Sequence, residues 1–587
     1  MPVNATYPGV YINEVKSSVR TITGVPTSVA AFIGYAPRGP VDTPVHITGW
    51  ADYEATFGGL QANSPMSYAV YQFYLNGGSE AEIVRVANTR DATAVLPLGK
   101  PQAAIGSSSA RPPRPSGGAK AERKAEGDTG ADANAEEDSG QEAGNPAADR
   151  SSAAPLSLQA ASPGQWGGYL RGRVDHDTSE EVKKGEEEPK AGKRDRLFNL
   201  TIHDSGSGVQ EKYLNVSVEE DSPRNIKHLL ASSQLVKLVP GPVKFPAANE
   251  KAKDGDHFAD AKYHSTAEIE GDSDKPPKRE DYEGDEQKKT GLHALRKSDI
   301  FNILCLPDLH HPWMELTEGD AEALQTAALK LCFDRRAILL VDPPRQWTGD
   351  GAVGTVTVDK VVSAAIPRTD SHRNAAVYYP RVMAPDPLRA GVPTAFPPCG
   401  VMAGVLARTD VQRGVWKAAA GTDASLNGVS DLEVQLTDLE IGRLNPLGIN
   451  CLRRLPAAGP VAWGARTMRG DDRLADEWKY LPVRRLALFV EESLFRGTQW
   501  VVFEPNDEPL WASIRLNVGA FMNSLFRAGA FQGRTPQEAY LVKCDKENNP
   551  QNDIDRGIVN IQVGFAPLKP AEFVIIHIQQ LAGQIQV

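Results

Sequence analysis

Asp308, His310, His311 and Asp342 are two carboxylates and two imidazoles whose types and spacing could do chemistry. Asp308 follows the apolar run Ile300–Leu306, and Asp342 follows Ala337–Val341. Each carboxylate is therefore expected just beyond the carboxyl end of a buried strand, where open α/β sheets bind ligands. Such a set could hold a divalent metal and activate water for hydrolysis. Against that reading, adjacent histidines point in different directions, no HExxH pattern is present, and Asp-Pro is a routine strand-ending turn. Gly349-Asp-Gly-Ala-Val-Gly354 matches GxGxxG in form. A dinucleotide fingerprint needs those glycines in the turn that joins strand directly to helix. Here Asp342-Pro-Pro-Arg-Gln-Trp-Thr348 intervenes, and Thr355-Val-Thr-Val358 alternates instead of opening a helix. There is no GxSxG, no Walker A loop, and no cysteine with a base nearby in sequence. Catalysis is the weaker expectation, with a metal-dependent hydrolase on this unit as the alternative.

The elements around these residues follow from periodicity. Ile300–Leu306 and Ala337–Val341 have the length and composition of buried strands. Between them, Thr317-Glu-Gly-Asp320 reads as a capping box opening a helix that carries Leu324, Ala328 and Leu331 on one face. Strand, helix, strand is a βαβ unit with parallel strands. Val358–Ile366 and Ala375–Tyr379 are expected to add another helix and strand, and Ala81–Val86 is strand-like. Phe198–Ile202 and Leu214–Val218 alternate as half-buried strands, followed by helical spacing over Asn225–Leu238. Near the C-terminus, Val483, Leu486, Ala487, Val490 and Leu494 mark one amphipathic helix. Trp511, Ile514, Val518, Phe521, Met522 and Leu525 mark a second, with Pro509 in its first turn. Gly557–Phe565 and Glu572–Gln579 read as strands. The latter carries Val574, Ile576 and Ile578 on one face and Phe573 and Ile575 on the other. A strand apolar on both faces is an aggregation hazard unless something pairs it.

The chain has 587 residues, which predicts roughly three or four domains. Two stretches, Pro101–Ala160 and Gly241–Thr290, are too polar to offset the cost of ordering a backbone and read as solvated loops. A net charge of −11 argues against a nucleic-acid partner, which needs clustered positive potential. Five cysteines without CxxC spacing fit neither a structural zinc site nor a disulfide scaffold, and folding in a reducing cytosol is the default. The segment Met1–Val15 lacks the basic and apolar regions of a signal peptide, and the longest apolar runs are too short to span a bilayer. No cofactor is expected.

A series of motifs in fixed order resembles the contractile tail sheath proteins. Tyr7-Pro-Gly-Val-Tyr-Ile-Asn-Glu-Val15, Gly24–Gly34, Arg38-Gly-Pro40, Phe57-Gly-Gly59, Tyr68–Tyr74 and Asn76-Gly-Gly78 are similar to the opening of that family. Gly291–Leu295, Phe301–Pro307, Val341-Asp-Pro-Pro344, Tyr378-Tyr-Pro380, Gly400-Val-Met-Ala-Gly404, Ala407–Asp410 and Arg413–Ala418 continue the likeness. Asn445–Asn450, Trp463-Gly-Ala-Arg-Thr467, Val483-Arg-Arg-Leu486, Gly497–Asn506, Gln551-Asn-Asp553 and Pro570-Ala-Glu-Phe-Val574 complete it. Ala419 stands where many relatives have Pro.

The resemblance implies a multidomain α+β subunit with an α/β portion: an inner C-terminal domain, inserted outer domains, and extended arms at both ends. The expected blocks are a linking arm at 1–25, an N-terminal domain at 26–98, a polar insertion at 99–162 and a small α+β unit at 163–240. A charged loop at 241–290, an α/β domain at 291–430 and a C-terminal domain at 431–587 follow. It implies a structural protein that polymerises helically around an inner tube and contracts to drive the tube through an envelope. Its partners would be further copies of itself, the tube protein, and baseplate and terminator or cap proteins, with no nucleic acid and no direct membrane insertion. Assembly is expected in the bacterial cytoplasm, as part of a phage tail or a released injection particle. A tube or baseplate component of the same machine is the other alternative. By the same resemblance, Val10, Tyr11, Ile12, Glu14 and Val15, and Phe573, Val574, Ile575, Ile576 and Ile578, are the arm residues expected to pair with neighbouring subunits. Arg515 and Arg527 are candidates to face the tube.

Overall fold

One mixed sheet of eight strands organises most of the chain. The computed structural model describes residues 20–88, 92–99, 156–178, 197–253, 255–269, 275–347, 358–364 and 369–575. The strands are β1 (Ala30–Tyr35), β2 (Val45–Ile47), β3 (Ala81–Val86), β4 (Ile303–Cys305), β5 (Ile338–Val341), β6 (Ala375–Tyr379), β7 (Ile449–Leu455) and β8 (Gly459–Ala462). Their order is β8-β7-β6-β5-β4-β1-β3-β2. The six inner strands run parallel, and β2 and β8 close the two edges antiparallel. Helices cover both faces of a parallel sheet, so its strands are apolar on both sides. Accordingly β1, β4, β5 and β6 are buried at every position.

The expected βαβ unit is present. β4 and β5 are joined by α3 (Glu318–Asp334), which comes after α1 (Trp50–Phe57) and α2 (Pro65–Leu75) in the chain. Thr317 Oγ1 accepts the Asp320 amide at 3.2 Å and Asp320 Oδ2 accepts the Thr317 amide at 3.1 Å, the predicted capping box. On the other face, α2 packs against α4 (Cys399–Arg413). A Cβ at Gly400 would lie 2.3 Å from the Ala69 carbonyl oxygen, and one at Gly404 would lie 2.5 Å from that of Phe73. The Gly400-Val-Met-Ala-Gly404 motif is there because the two helix backbones touch.

Several expected boundaries differ. The division at 430 is absent: β7 pairs with β6 in the same parallel sheet that β1 enters from the N-terminal end. The inserted unit is larger than 163–240 and spans 92–271. The strand Val95–Leu98, expected in the N-terminal block, pairs with Leu156–Ala160, which sits in the polar insertion and in turn pairs with Val236–Leu238. A four-stranded antiparallel sheet of Ser265–Thr266, Leu170–Asp175, Leu197–Asp204 and Gln210–Ser217 completes the unit. Leu156 and Leu158 are isolated aliphatics in sequence, but with Leu96, Leu98, Phe198 and Val216 they build this unit's own core. The helical pattern over Asn225–Leu238 yields only the short helix Ile226–Leu230. Ser233 Oγ then accepts the Val236 amide at 3.0 Å, turning the chain into a strand.

Part of the expected loop 241–290 is also built into the fold. Tyr282, on the short helix Arg279–Glu283, is buried in the core beneath β4 and α3. Beyond β8, α5 (Leu481–Gly497) and α6 (Glu508–Arg527) match the two amphipathic predictions. They pack around Leu486, Val490, Trp511, Ile514, Val518 and Phe521. A two-stranded ribbon follows, β9 (Tyr540–Lys543) and β10 (Gln562–Phe565). The expected strand Gly557–Phe565 is confined to β10. Residues 572–575 are not in a strand, and Ile576 and Ile578 lie outside the described residues.

Candidate assembly surface

The carboxyl end of the sheet holds the residues that first suggested catalysis, and there they pin the fold. Asp308 is fully buried; its Oδ2 accepts the Tyr35 amide at 2.6 Å and the Tyr282 hydroxyl at 2.8 Å, and its Oδ1 accepts the Met66 amide at 3.0 Å. One carboxylate thus ties β1, the N-terminus of α2 and the 279–283 helix together. Gly34 makes room for it, since a Cβ there would lie 2.5 Å from Oδ2. Burial raises the Asp308 carboxyl to about 7, against the three hydrogen bonds that favour its charge. Asp342 Oδ1 accepts the Cys399 amide at 2.9 Å at the start of α4, and burial raises this carboxyl to about 6. His310 and His311 are pushed down to about 4 by burial and by the positive charges of Arg381 and Arg345. Those guanidiniums would repel a dication as they repel a proton. Among the described residues, no group of three His, Cys, Asp or Glu is arranged to hold a metal ion. The Gly349–Gly354 loop lies outside the described residues.

The first described residues meet the C-terminal helices instead. From Arg20 the backbone crosses α6 and α5. The Arg20 amide donates to Asn517 Oδ1 at 3.0 Å, and its guanidinium lies over Trp500, 4.8 Å from the ring centre. Ile22 is buried in the helical core, where Gly497 leaves space for it, and the Val25 amide donates to Ser493 Oγ at 3.2 Å. The Thr27 carbonyl accepts Arg485 Nη2 at 3.0 Å. Arg485 also forks onto Asp410 at 2.8 and 2.6 Å, with both side chains buried, so α4, α5 and the entering segment share one ion pair. Val10, Tyr11, Ile12, Glu14 and Val15 precede this anchored stretch and lie outside the described residues.

At the other end, Glu572 folds back onto the fully buried side chain of Arg466. Nε donates to Oε1 at 2.7 Å and Nη2 to Oε2 at 2.5 Å, the bidentate geometry of a strong charge-assisted pair. Burial works against the Arg466 charge, and Glu572 and Asp472 more than offset it, so its pKa is raised. Immediately after this pair, Phe573, Val574 and Ile575 are 74%, 81% and 77% exposed. The ribbon β9–β10 has only two strands among the described residues, so each keeps an outer edge for backbone pairing.

Arg515 and Arg527 separate in role. Arg515 donates to the Cys544 carbonyl and, at 2.6 Å, to Glu508, which ties it to its own subunit; Arg527 is exposed at the end of α6. The anchors Asp410, Arg466, Arg485 and Glu572 were not singled out by sequence reasoning. The available signal was that all four stand inside family motifs, Asp410 in Ala407–Asp410, Arg466 in Trp463–Thr467, Arg485 in Val483–Leu486 and Glu572 in Pro570–Val574.

Residues 284–468 match the phage tail sheath protein central domain, and residues 475–580 match the phage tail sheath C-terminal domain. The tail sheath protein of Vibrio phage KVP40 is 26% identical over 182 residues, which are 31% of this chain and 26% of the phage protein. The match therefore spans about a quarter of that relative's length. The sheath of the extracellular contractile injection system PVC, in its contracted state, is 18% identical with a TM-score of 0.51 over 99% of both chains. A sheath tail protein from Listeria innocua is 13% identical with a TM-score of 0.54, covering 93% of this chain and 96% of that one. These solved structures share the fold. Together with the ordered motifs, these matches identify residues 284–468 and 475–580 as the central and C-terminal domains of the phage tail sheath proteins.

Proposed function

We propose that this protein is the structural subunit of a contractile sheath, polymerising helically around an inner tube and contracting to drive that tube through a target envelope. The observation that carries the reading is the C-terminal tail: three apolar residues leave the fold exposed directly after an ion pair with a buried arginine. In an isolated subunit that arrangement is a liability, and in an array it is a strand waiting for a sheet edge. Residues 1–19 and the tail from Phe573 onward are the proposed arms, docking on edges such as those of β9 and β10 in neighbouring copies. A contact between unlike surfaces that does not close into a ring builds an open helix.

Contraction needs no bound nucleotide. The extended array is held by a kinetic barrier, and release lets subunits move as rigid bodies toward larger interfaces while the arms keep them linked. Baseplate, cap and tube proteins are the proposed partners, and the exposed Arg527 is a candidate contact for acidic tube surface. Negative-stain microscopy of the purified chain tests the reading: long hollow cylinders are expected, and a stable monomer or closed rings would refute it. Truncation after Glu572, or deletion of residues 1–20, should leave a folded subunit by circular dichroism that no longer forms cylinders.

A further inference from the structure

We infer that Arg466 and Glu572 form a latch that roots the C-terminal arm and aims it at a second copy of this chain; the inference rests on the sheath reading above. Bonds independent of Glu572 also hold Arg466. Its Nη1 donates to the carbonyls of Asn445 and Gly470 at 3.0 and 3.1 Å and to Asp472 at 2.9 Å. Its backbone amide donates to Asn450 Oδ1 at 2.7 Å, and Asn450 Nδ2 returns a bond to the Arg466 carbonyl at 2.8 Å and reaches Val377 on β6 at 3.1 Å. The Arg466 backbone is thereby tied to the central sheet through Asn450, its Nη1 is held by Asn445, Gly470 and Asp472, and Nε and Nη2 are left as a fork. Glu572 fills that fork, and the Tyr480 hydroxyl stands 3.5 Å from the same carboxylate. Three separate sequence motifs, Asn445–Asn450, Trp463–Thr467 and Pro570–Val574, meet at this point.

The position of the latch matters more than its strength. Among the described residues, the last backbone bridge before the tail joins Phe531 to Pro567. Phe573 lies six positions beyond Pro567. Unlatched, a flexible stretch of that length would place Phe573 with a root-mean-square spread of about 13 Å. Strands pair at a spacing of about 4.8 Å, so that spread spans more than two strand positions and allows wrong registers. Latched, the first arm residue starts from a fixed point, and its effective concentration at the neighbour's edge rises accordingly. The same point transmits force to the central sheet when subunits move, because Arg466 is bonded to the strand layer and not to the ribbon.

The test compares the wild-type chain with Glu572→Gln, Glu572→Ala and Arg466→Lys, each checked for folding by circular dichroism. Two readouts are taken: the protein concentration at which cylinders form, by sedimentation, and amide hydrogen exchange over residues 568–573. Glu572→Ala is expected to raise the assembly concentration by about tenfold or more and to speed exchange in that segment, with Glu572→Gln intermediate. Arg466→Lys, which keeps the charge but loses the fork, should behave like Glu572→Ala. Unchanged assembly and unchanged exchange in a folded Glu572→Ala protein would overturn the latch. If the wild-type chain forms no cylinders, the sheath reading fails, and exchange alone then decides whether the tail is latched.

Discussion

Gly497→Ala should release the N-terminal segment from α5 while sparing the helices themselves. A Cβ on residue 497 would lie 2.5 Å from Ile22 Cγ2 and 2.8 Å from Ile22 Cγ1. Carbon atoms pack at roughly 3.5–4 Å, so Ile22 must retreat by about 1 Å or leave its pocket. Both Ile22 atoms sit one bond from Cβ on a stiff, β-branched side chain, so no rotation of a distant tip relieves the clash. Ile22 is 5% exposed, and burying such a side chain contributes about 1.5–3 kcal/mol. Alanine in place of glycine at the end of α5 returns up to about 1 kcal/mol to the helix. The segment therefore loses roughly 2 kcal/mol of local stability, about a 30-fold rise in its open population, while global unfolding changes by less. Trypsin cleavage after Arg20, followed by mass spectrometry of the fragment beginning at Thr21, reads that open population when opening is fast relative to cleavage. A 10- to 30-fold faster cut is the expected order. If cleavage after Arg20 is unchanged while the alanine helix is folded, Ile22 does not hold the segment and the anchoring argument is wrong.

Two further predictions concern the buried charges. Asp410→Ala strands the Arg485 guanidinium in a buried site and should cost about 3–5 kcal/mol in guanidinium-chloride unfolding, whereas Asp410→Ala combined with Arg485→Met should recover much of that loss; equal losses in the single and double variants would contradict it. For pH, burial raises Asp308 from 3.8 to about 7, so its contribution is fully present below 3.8 and is lost as pH rises through 7, by at most ~4 kcal/mol. His310 and His311, lowered to about 4, act oppositely, their contribution lost as pH falls through 4. Removing the Asp308 titration with Asp308→Asn should therefore tilt stability upward with pH between 4 and 7 relative to wild type. A wild-type-minus-variant difference that is flat across that window would mean Asp308 is charged throughout.

Local signals in the chain were sufficient for the parts that local rules govern. The βαβ unit, the Thr317 capping box and the two amphipathic helices all depend on residues within a few turns of one another, and each appears where periodicity placed it. The ordered motifs also carried the family, because each string reflects a constraint even when its cause is invisible. What periodicity could not supply was pairing at a distance. Leu156 and Leu158 looked like strays in a polar stretch until strands from 95–98 and 236–238 closed on them. Asp308 and Asp342 had the composition of a reaction centre, and only the fold placed three amide and hydroxyl donors on the first and the start of α4 on the second. The same holds for Arg466 and Glu572, 106 residues apart. A lone arginine or glutamate reads as solvated surface, since burying either alone is prohibitive, and only the tertiary structure brings in the opposite charge that makes burial possible. Sequence alone determined the βαβ unit, the two amphipathic helices and the ordered motifs; the folded chain decided the long-range strand pairings and which charges are partners, and so where the segments after Arg20 and up to Glu572 are tied down.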